Sequence, residues 1–599
     1  MEKLIFLLLL ASPLSVVVFH FIKLKINKKI TYEGYFTLPI IFHSICFIML
    51  FFNYESLDKI EFSYIKIHSS LISLIFSFNY LNVLMSLIVL VISICVLIYS
   101  YKFISTESYQ RKFRYSVFLN IFISSMVFFS LSDDLLSSFI FWEFLGLCSF
   151  FLIAYYNSDI KAIYSSTLAF WITRFGDLFF LMGLIIIYLG SQSLDISSVN
   201  NFLINSKNYS DNLALFFILI GIFTKCAQYP FIIWLPRAMK GPTPVSALIH
   251  SATMVVAGIF LLVKLSSSIE SYPFIKDAIF YVGLITSLIC SIYAFYESDL
   301  KGILAYSTLS HIGFMLIPIG NSVGQMGYFH LYSHSFFKSL LFLMAGYLIL
   351  KFNETSIDKL SGKLSFFTPY GIIFSIGCLS LAGVYPLTGS FSKEYIIIDF
   401  INNRSLFDSL ILIISVLFTC LYSSKLFFNI INFKRIGHNI FKKDILYLLP
   451  MGILAFFSLT GFYTFDFFKE FIDINFKNIS TFELISLQSF VILFITINYF
   501  FRDKIRLYSD TTINIVKTFI EIEYIYRHVY EKIFVQMGNF VAWFDRNIID
   551  GIVNFIPYIM VNTSNYFQKI QDGFIRGYAS KFLILIILSI ILFGITFNI

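Results

Sequence analysis

Charged and histidine side chains recur inside long apolar stretches of this 599-residue sequence. A charged side chain at the centre of a bilayer costs about 2.5–3.5 kcal/mol on insertion scales, so such residues usually face a protein interior and a polar path. Carboxylates, lysines and histidines in that setting can bind and release protons. We therefore predict a buried polar axis that handles protons, and the side chains assigned to it are Glu143, Arg174, Asp177, Lys225, His250, His330, His334, Lys338, Lys393 and Glu394.

Two of these lysines lie beside predicted helix breaks. Lys225 is followed by QYPFIIWLP (228–236), and Lys393 is preceded by GVYPLTG (383–389). Two Gly/Pro-interrupted spans are typical of a duplicated transporter unit, and their unpaired backbone groups require water or polar side chains. A lysine in such a site can take up or eject a proton as a carboxylate moves toward or away from it. For Lys225, the sequence predicts Glu143 as that carboxylate.

Other interpretations of the same residues stay open. Arg174 and Asp177 are three positions apart on one predicted helix, which also suits a local structural pair. His330 and His334 are four positions apart and share a helix face, which suits a proton relay, hydrogen-bonded packing or a metal site. No third metal ligand lies near them in the sequence, so no bound metal is predicted. His311 is predicted to serve packing and not the relay.

Composition places the chain in a membrane. Hydrophobic residues make up 58% of it and charged residues 13%, far from the range of soluble globular proteins. The net charge of +8 is spread over predicted loops, so no nucleic-acid partner is expected. The seven cysteines form no C-x-x-C pair, and no Walker A pattern or dinucleotide fingerprint occurs. The chain is expected to bind no cofactor and to contain no redox centre.

The apolar runs predict an all-α polytopic fold with about sixteen transmembrane helices. Basic residues concentrate in every second predicted loop, which supports the alternation of sides and puts both termini on the outer side. The predicted spans are 3–22, 34–53, 81–101, 114–131, 134–156, 162–190, 212–236, 244–264, 274–294, 302–319, 324–350, 364–385, 408–432, 445–464, 482–501 and 580–598.

The segment 511–580 differs from these spans. It mixes charged residues with Ile, Phe, Val and Tyr, and is too charged to cross a membrane yet too apolar for a solvated tail. We predict an amphipathic helix along a surface, on the order of 90 Å long, with a bend near Pro557. Such an arm suits a chain that contacts a row of neighbouring subunits.

Six motifs carry a family resemblance: FWEFLGLCSFFLI, TRFGDLFFL, TKCAQYPFIIWLPRAMKGPTPVSALIHSATMVVAGIFLL, AYSTLSHIGFM, HSFFKSLLFL and LAGVYPLTGSFSKEYII. They resemble the antiporter-like subunits of NADH-quinone oxidoreductase, respiratory complex I, and in particular the chain L or subunit 5 type. The third motif is the most specific. The sequence departs from the family pattern at 144–145, where small residues are usual, at Cys226, where serine is usual, and at Glu394, where aspartate is common.

This resemblance implies proton translocation coupled to NADH oxidation by quinone, with NADH, FMN, iron–sulfur clusters and quinone bound by partner subunits. It also implies two inverted five-helix repeats, each with a discontinuous helix. The predicted organisation has N-terminal helices in 1–113, the two repeats in 114–264 and 274–432, further helices in 445–501, a lateral amphipathic helix in 511–580 and a terminal anchor in 581–599.

The resemblance also implies roles for single residues. Glu143 would pair with the pumping lysine Lys225, His250 would connect it onward, Lys338 would be the central lysine and Lys393 would line the exit half-channel. The side chains expected to support this polar axis are Arg174, Asp177, His330, His334 and Glu394. The motif positions therefore coincide with the charges found inside the apolar runs.

The implied partners are the other membrane-arm subunits of complex I, above all the adjacent antiporter-like subunits that the lateral helix would contact, and the lipid bilayer. The implied location is a bacterial cytoplasmic membrane, with the mitochondrial inner membrane as the alternative. Three further functions fit the same spans: the large subunit of a multisubunit cation/proton antiporter, a membrane subunit of a related hydrogenase, and a structural brace that pumps nothing.

Overall fold

The structure is a computed structural model that describes residues 1–26, 32–67, 70–433, 444–461, 485–500, 532, 535–570 and 573–596. The chain divides into two compact units, Met1–Ile515 and Val516–Ile599. Eleven helical segments of the described chain are long and apolar enough to cross a membrane. The multi-pass helical fold predicted from composition is therefore confirmed.

The described helices of the first unit are, in chain order, α1 (Glu2–Ile26), α2 (Gly34–Asn53), α3 (Tyr80–Phe103), α4 (Tyr109–Leu131), α5 (Leu135–Ile153), α6 (Ile160–Ser191), α7 (Ile196–Ser206), α8 (Tyr209–Lys225), α9 (Trp234–Arg237), α10 (Thr243–Ser251), α11 (Met254–Lys264), α12 (Ser266–Ile269), α13 (Pro273–Tyr296), α14 (Leu300–Gly320), α15 (Gly324–Phe352), α16 (Ile357–Leu360), α17 (Pro369–Ala382), α18 (Thr388–Asn403), α19 (Leu406–Ile430), α20 (Ile445–Leu459) and α21 (Ile485–Phe500).

One element departs from the all-α prediction. Strands β1 (Ile60–Ile67) and β2 (Ser70–Phe76) form an antiparallel hairpin between α2 and α3. The Ile75 amide donates to Asp134 Oδ2 at 2.6 Å, which attaches the hairpin to the start of α5. The sequence EFSYIKI of β1 alternates polar and apolar residues except at Tyr64–Ile65, where the strand pairing shifts its register, and alternation is the period of a strand. That signal could have predicted the hairpin.

A second, two-residue pairing corrects one predicted span. Strand β3 (Leu364–Ser365) pairs in parallel with β4 (Ile431–Asn432), so the residues at the start of the predicted span 364–385 are extended. The helix begins only at Pro369, where the Thr368 hydroxyl caps it by accepting from the Gly371 amide at 3.1 Å. Proline suits the first turn of a helix, because its missing N–H would have no helical partner there.

Both predicted helix breaks are present. Helix α8 ends at Lys225 and helical structure resumes at Trp234, and helix α17 ends at Ala382 before α18 begins at Thr388. A further interruption, which the sequence did not predict, separates α10 from α11 at 252–253. Each break leaves backbone groups without helical partners inside a membrane protein, so side chains or water have to satisfy them.

Helix α8 ends in a Schellman motif. The Gln228 amide donates to the Phe223 carbonyl at 2.8 Å, and the Ala227 amide donates to the Thr224 carbonyl at 3.2 Å. Ala227 has a φ of 51°, in the left-handed region that glycine normally occupies in this motif. Ala227, at the end of α8, therefore has a strained backbone conformation.

Helix α17 ends in the same motif, but with the residue that suits it. The Val384 amide donates to the Leu379 carbonyl and the Gly383 amide to the Ser380 carbonyl, each at 3.1 Å. Gly383 has a φ of 88°. A Cβ at this position would lie 3.1 Å from Lys393 Cδ, so glycine here serves both the turn and the lysine beside it.

Replacing Ala227 with glycine is expected to stabilise the chain by about 0.5–1 kcal/mol. The left-handed conformation costs a non-glycine residue roughly 1–2 kcal/mol, and the entropy of glycine in the unfolded chain offsets part of this gain. Thermal unfolding of the purified protein measures the change. Gly383→Ala is the matched comparison and should lower the unfolding temperature. Equal shifts for the two variants would contradict this account of the helix ends.

Helix α15 is the centre of the first unit. Every residue from Met326 to Leu348 is buried, and the helix packs against α3, α10, α11, α14, α17, α18 and α20. Apolar residues are distributed around the whole circumference of α15, which suits a helix with no face toward water. The polar side chains that α15 carries are consequently shielded from lipid and face neighbouring helices.

The second unit contains a long helix and the terminal apolar helix. Helix α22 (Val535–Phe544) continues through a π-helical turn, Asp545–Ile549, into α23 (Asp550–Ile570), and the helix runs through Pro557. Residues 535–570 at 1.5 Å each span about 54 Å. Helix α24 (Ile575–Thr596) follows and begins earlier than predicted. Apart from residue 532, the predicted arm before 535 lies outside the described residues.

Candidate functional site

Lys225 forms a buried ion pair at the first helix break. It is the last residue of α8, and its Nζ lies 3.4 Å from Oδ1 and 3.5 Å from Oδ2 of Asp177 on α6. The two side chains are 0% and 3% exposed. A lysine at the C-terminus of a helix is also favoured by the helix dipole. The ammonium group therefore has one carboxylate partner, supported by the end of its own helix.

Trp142 on α5 holds this pair from a third helix. Its indole Nε1 donates to Asp177 Oδ1 at 2.6 Å, and Lys225 Nζ lies 5.0 Å from the centroid of its ring. One turn further along α5, a Cβ at Gly146 would come 3.0 Å from Lys225 Nζ. The tryptophan, absent from the sequence-based candidates, thus contacts both members of the ion pair, and the glycine leaves room for the ammonium group.

Glu143 pairs with Arg174 and not with Lys225. The structure contradicts the predicted Lys225–Glu143 pair, and it also contradicts a local pair between Arg174 and Asp177, since Asp177 binds Lys225. The side chains of Glu143 and Arg174 are 21% and 30% exposed. Helix rotation explains both corrections: Arg174 lies at the edge of the exposed face of α6, whereas Asp177 lies on the face turned to α8.

Glycines bring α6 and α8 into close contact beside this pair. A Cβ at Gly221 would lie 2.8 Å from Phe180 Cβ and 3.0 Å from the Gly176 carbonyl oxygen. A Cβ at Gly183 would lie 2.6 Å from the Ala214 carbonyl oxygen. Small residues at membrane helix contacts allow the backbones to approach. The separation that lets Asp177 reach Lys225 therefore depends on missing side chains.

His250 and Lys338 lie where α10 meets α15. The His250 ring stacks on Phe342 with centroids 5.3 Å apart, and Phe342 is one turn along α15 from Lys338. Lys338 Nζ donates to Ser307 Oγ on α14 and, at 3.4 Å, to the Leu304 carbonyl. Neither ring nitrogen of His250 has a partner among the described residues. Buried polar atoms of this kind normally bind water, so the site suits a hydrated contact.

A histidine chain continues from α14 to α18. His311 Nδ1 lies 3.0 Å from His330 Nε2, and His330 Nδ1 lies 2.9 Å from Ser392 Oγ. The His334 ring lies 5.6 Å from the His311 ring. His311, predicted to serve packing, also bonds directly to the predicted relay residue His330. Ser392 immediately precedes Lys393, so the chain ends at the second helix break.

Within the described part of the chain, Lys393 bonds to the end of a helix and to a hydroxyl, and to no carboxylate. Its Nζ donates to the carbonyls of Leu381 at 2.7 Å and Ala382 at 3.4 Å, and to Thr419 Oγ1 at 3.2 Å. These carbonyls are among the last of α17 and have no helical partners of their own. A cation at this position is favoured by the partial negative charge of the helix C-terminus.

Glu394 completes the second cluster. Its carboxylate accepts from Gln488 on α21. The sequence did not single out Gln488, since one amide in an apolar run carries no distinctive spacing. The structure thus forms one group from α5, α6 and α8 around Lys225. Another group, from α14, α15, α17, α18, α19 and α21, surrounds Lys393. His250 on α10 and Lys338 on α15 lie where those two helices meet. The described residues contain no cluster suited to a metal ion.

Comparisons with known proteins agree with this architecture. Residues 132–419 match the family described as NADH:quinone oxidoreductase/Mrp antiporter, TM. The NAD(P)H-quinone oxidoreductase subunit 5 of the Mesostigma viride chloroplast is 32% identical over 86% of this chain and 85% of its own length. NADH-quinone oxidoreductase subunit L of Campylobacter jejuni is 35% identical over 66% of each chain.

Antiporter proteins are similar as well. The putative antiporter subunit mnhA2 of Staphylococcus aureus is 36% identical over 61% of this chain and 48% of its own length. A chain of the Mrp complex from Dietzia sp. DQ12-45-1b superimposes with a TM-score of 0.68 at 20% identity, covering 99% of this chain and 63% of that one. The chain therefore belongs to the family of NADH-quinone oxidoreductase and Mrp antiporter membrane subunits, which confirms the resemblance inferred from its motifs.

Proposed function

We propose that this chain is a proton-translocating membrane-arm subunit of an NADH-quinone oxidoreductase, complex I. The observation that carries the proposal is the buried Lys225–Asp177 ion pair at the break after α8. The relatives named as subunit 5 and subunit L support the assignment to that complex. Proton transport, not electron transfer, is the chemistry for which these side chains are suited.

The energy of the buried Lys225–Asp177 ion pair is similar to the energy needed to pump one proton. Moving a proton against roughly 150–200 mV costs about 3.5–4.6 kcal/mol. Removing one partner of a buried ion pair costs about 3–5 kcal/mol. Drawing Asp177 away from Lys225 would therefore leave an ammonium group that gives up its proton, and its return would favour proton uptake. Trp142 affects whether Lys225 releases or takes up the proton, because its indole bonds to the Asp177 carboxylate and faces the ammonium group.

The remaining polar residues supply an onward route. His250 and Lys338 lie at the contact of α10 and α15, and the histidine chain leads from α14 to the residue before Lys393. Glu143 and Arg174 would act as a charge pair beside the first lysine. In this proposal, Lys393 and Glu394 form the exit.

Partner subunits would supply the redox chemistry. NADH, FMN, iron–sulfur clusters and quinone are assigned to them, and the adjacent antiporter-like subunits are assigned to the arm around 535–570. The relatives' names as oxidoreductase subunits and the multi-subunit membrane complexes among the similar structures support this arrangement. The proposed location is a bacterial cytoplasmic membrane, supported by the Campylobacter jejuni relative.

Proton pumping in sealed vesicles that contain the assembled complex tests this function. Lys225→Ala is expected to lower the proton yield per electron, because it removes the ammonium group that pairs with Asp177. Yield per electron is the readout, so that a smaller amount of complex does not imitate a pumping defect. Lys425→Ala is the matched control, since this half-buried lysine on α19 donates to the carbonyls of Phe295 and Glu297 and belongs to neither of the two groups described above.

An unchanged yield in Lys225→Ala, with normal assembly, would overturn the proposal and favour a structural brace. The second candidate function is a cation/proton antiporter subunit, supported by the Staphylococcus aureus and Dietzia relatives. Transport that requires sodium and persists without electron transfer would establish it instead.

A further inference from the structure

Gln488 on α21 is a polar residue for which the mechanism above has no role. Helix α21 is apolar and follows the two predicted repeats in the chain. The Gln488 side chain is half-buried and points at the second helix break. It bonds to three groups there.

Two of its bonds satisfy backbone groups that the break leaves open. Gln488 Nε2 donates to the Gly383 carbonyl at 3.1 Å, and its Oε1 accepts from the Tyr385 amide at 3.1 Å. Gly383 and Tyr385 lie between α17 and α18, where no helical partner reaches them. A side chain from α21 thus does what water or a neighbouring helix must do at a break inside a membrane.

The third bond goes to Glu394, whose carboxylate accepts from the same Nε2 group. A glutamine amide has two N–H donors and one acceptor oxygen, so these three partners set its orientation. Lys393, the neighbour of Glu394, bonds to the Leu381 and Ala382 carbonyls just before the break. Lys393 and Glu394 are therefore both attached to the break between α17 and α18. Lys393 bonds to it directly, and Glu394 is attached through Gln488.

We propose that Gln488 is a positioning residue that ties the carboxylate of Glu394 to the backbone of the second helix break. The inference rests on the proposed function, because it assigns Glu394 to the proton exit. While the amide bridge is intact, Glu394 is held as a hydrogen-bond acceptor beside the turn at 383–385. Loss of the bridge frees the carboxylate and the turn together, so transport suffers although no titratable group has been removed.

Proton yield per electron in sealed vesicles that contain the assembled complex tests the inference. Gln488→Leu removes all three bonds at similar size and is expected to lower the yield by roughly half or more, through loss of a charge-assisted hydrogen bond. Asn498→Leu is the matched control: Asn498 is an amide on the same helix whose bonds to described residues go to the Leu421 carbonyl and Ser424 Oγ on α19, away from the second helix break. Its yield is expected to equal that of the unmodified complex.

A side chain of matched length without hydrogen-bonding groups separates positioning from simple packing. Gln488→Met keeps the length of the side chain but makes none of the three bonds, so its yield is expected to fall as far as that of Gln488→Leu. Gln488→Glu puts two carboxylates against each other and is expected to lower the yield at least as much. A normal yield in Gln488→Met, or a Gln488→Leu yield equal to that of Asn498→Leu, overturns the inference. If Lys225→Ala also pumps normally, the proposed function fails instead.

Discussion

Replacing Asp177 with alanine is expected to destabilise the folded chain by about 3–5 kcal/mol, because it leaves the Lys225 ammonium group buried without a counter-charge. Both side chains are almost fully buried, so water cannot screen the loss. The change also deprives the Trp142 indole of its 2.6 Å acceptor. The measurements are the amount of assembled complex in the membrane and the temperature at which this subunit dissociates from the purified complex.

Removing both charges should cost much less than removing one. Replacing a buried ion pair by apolar residues is often neutral or stabilising, so Asp177→Leu with Lys225→Met is expected to assemble nearly as well as the unmodified chain while failing to pump. Asp177→Asn should fall between the two, because its amide oxygen can still accept from Trp142. If the single and double variants were equally unstable, the pair would not be the source of the effect.

Replacing Gly221 with alanine is expected to destabilise the chain by about 1–3 kcal/mol and to lower proton yield, although the change adds one methyl group. The new Cβ would lie 2.8 Å from Phe180 Cβ and 3.0 Å from the Gly176 carbonyl, so α6 and α8 would have to move apart. That movement draws Asp177 away from Lys225. Thermal dissociation of the complex and proton yield per electron measure the two effects.

Gly452→Ala is the matched comparison for this prediction. Gly452 lies within α20, and a Cβ there would meet nothing within 4 Å. Alanine is favoured over glycine in a helix by up to about 1 kcal/mol, so this variant is expected to be neutral or stabilising. If Gly221→Ala and Gly452→Ala behaved alike, close packing of α6 on α8 would not control the ion pair.

The sequence predicted many of the long apolar helices and both of the breaks beside the lysines, because their signals are local. Long apolar runs require membrane helices, and Gly and Pro beside Lys225 and Lys393 interrupt them. The hairpin strands 60–67 and 70–76 also have a local signal, the largely alternating pattern of β1, although no strand was predicted there.

Partners within the site were harder to predict, because they depend on how neighbouring helices are rotated. Two carboxylates, Glu143 and Asp177, lay on helices that could both reach Lys225, and their spacing does not say which faces it. The roles of Trp142 and Gln488 depend on contacts between helices far apart in the chain. Such contacts have no period and no motif, so only the packed structure identifies them.

Lys225 and Lys393 differ in whether a substitution at another position could remove their bonding partners. Lys225 relies on one side chain, and a single nucleotide change in the codon of Asp177 can remove its partner. Two of the three acceptors of Lys393 belong to the main chain of Leu381 and Ala382 and persist whatever side chains occupy those positions. Genetic drift can therefore disable the first site by altering a neighbour, whereas the second is lost mainly by changing the lysine itself or the course of its backbone.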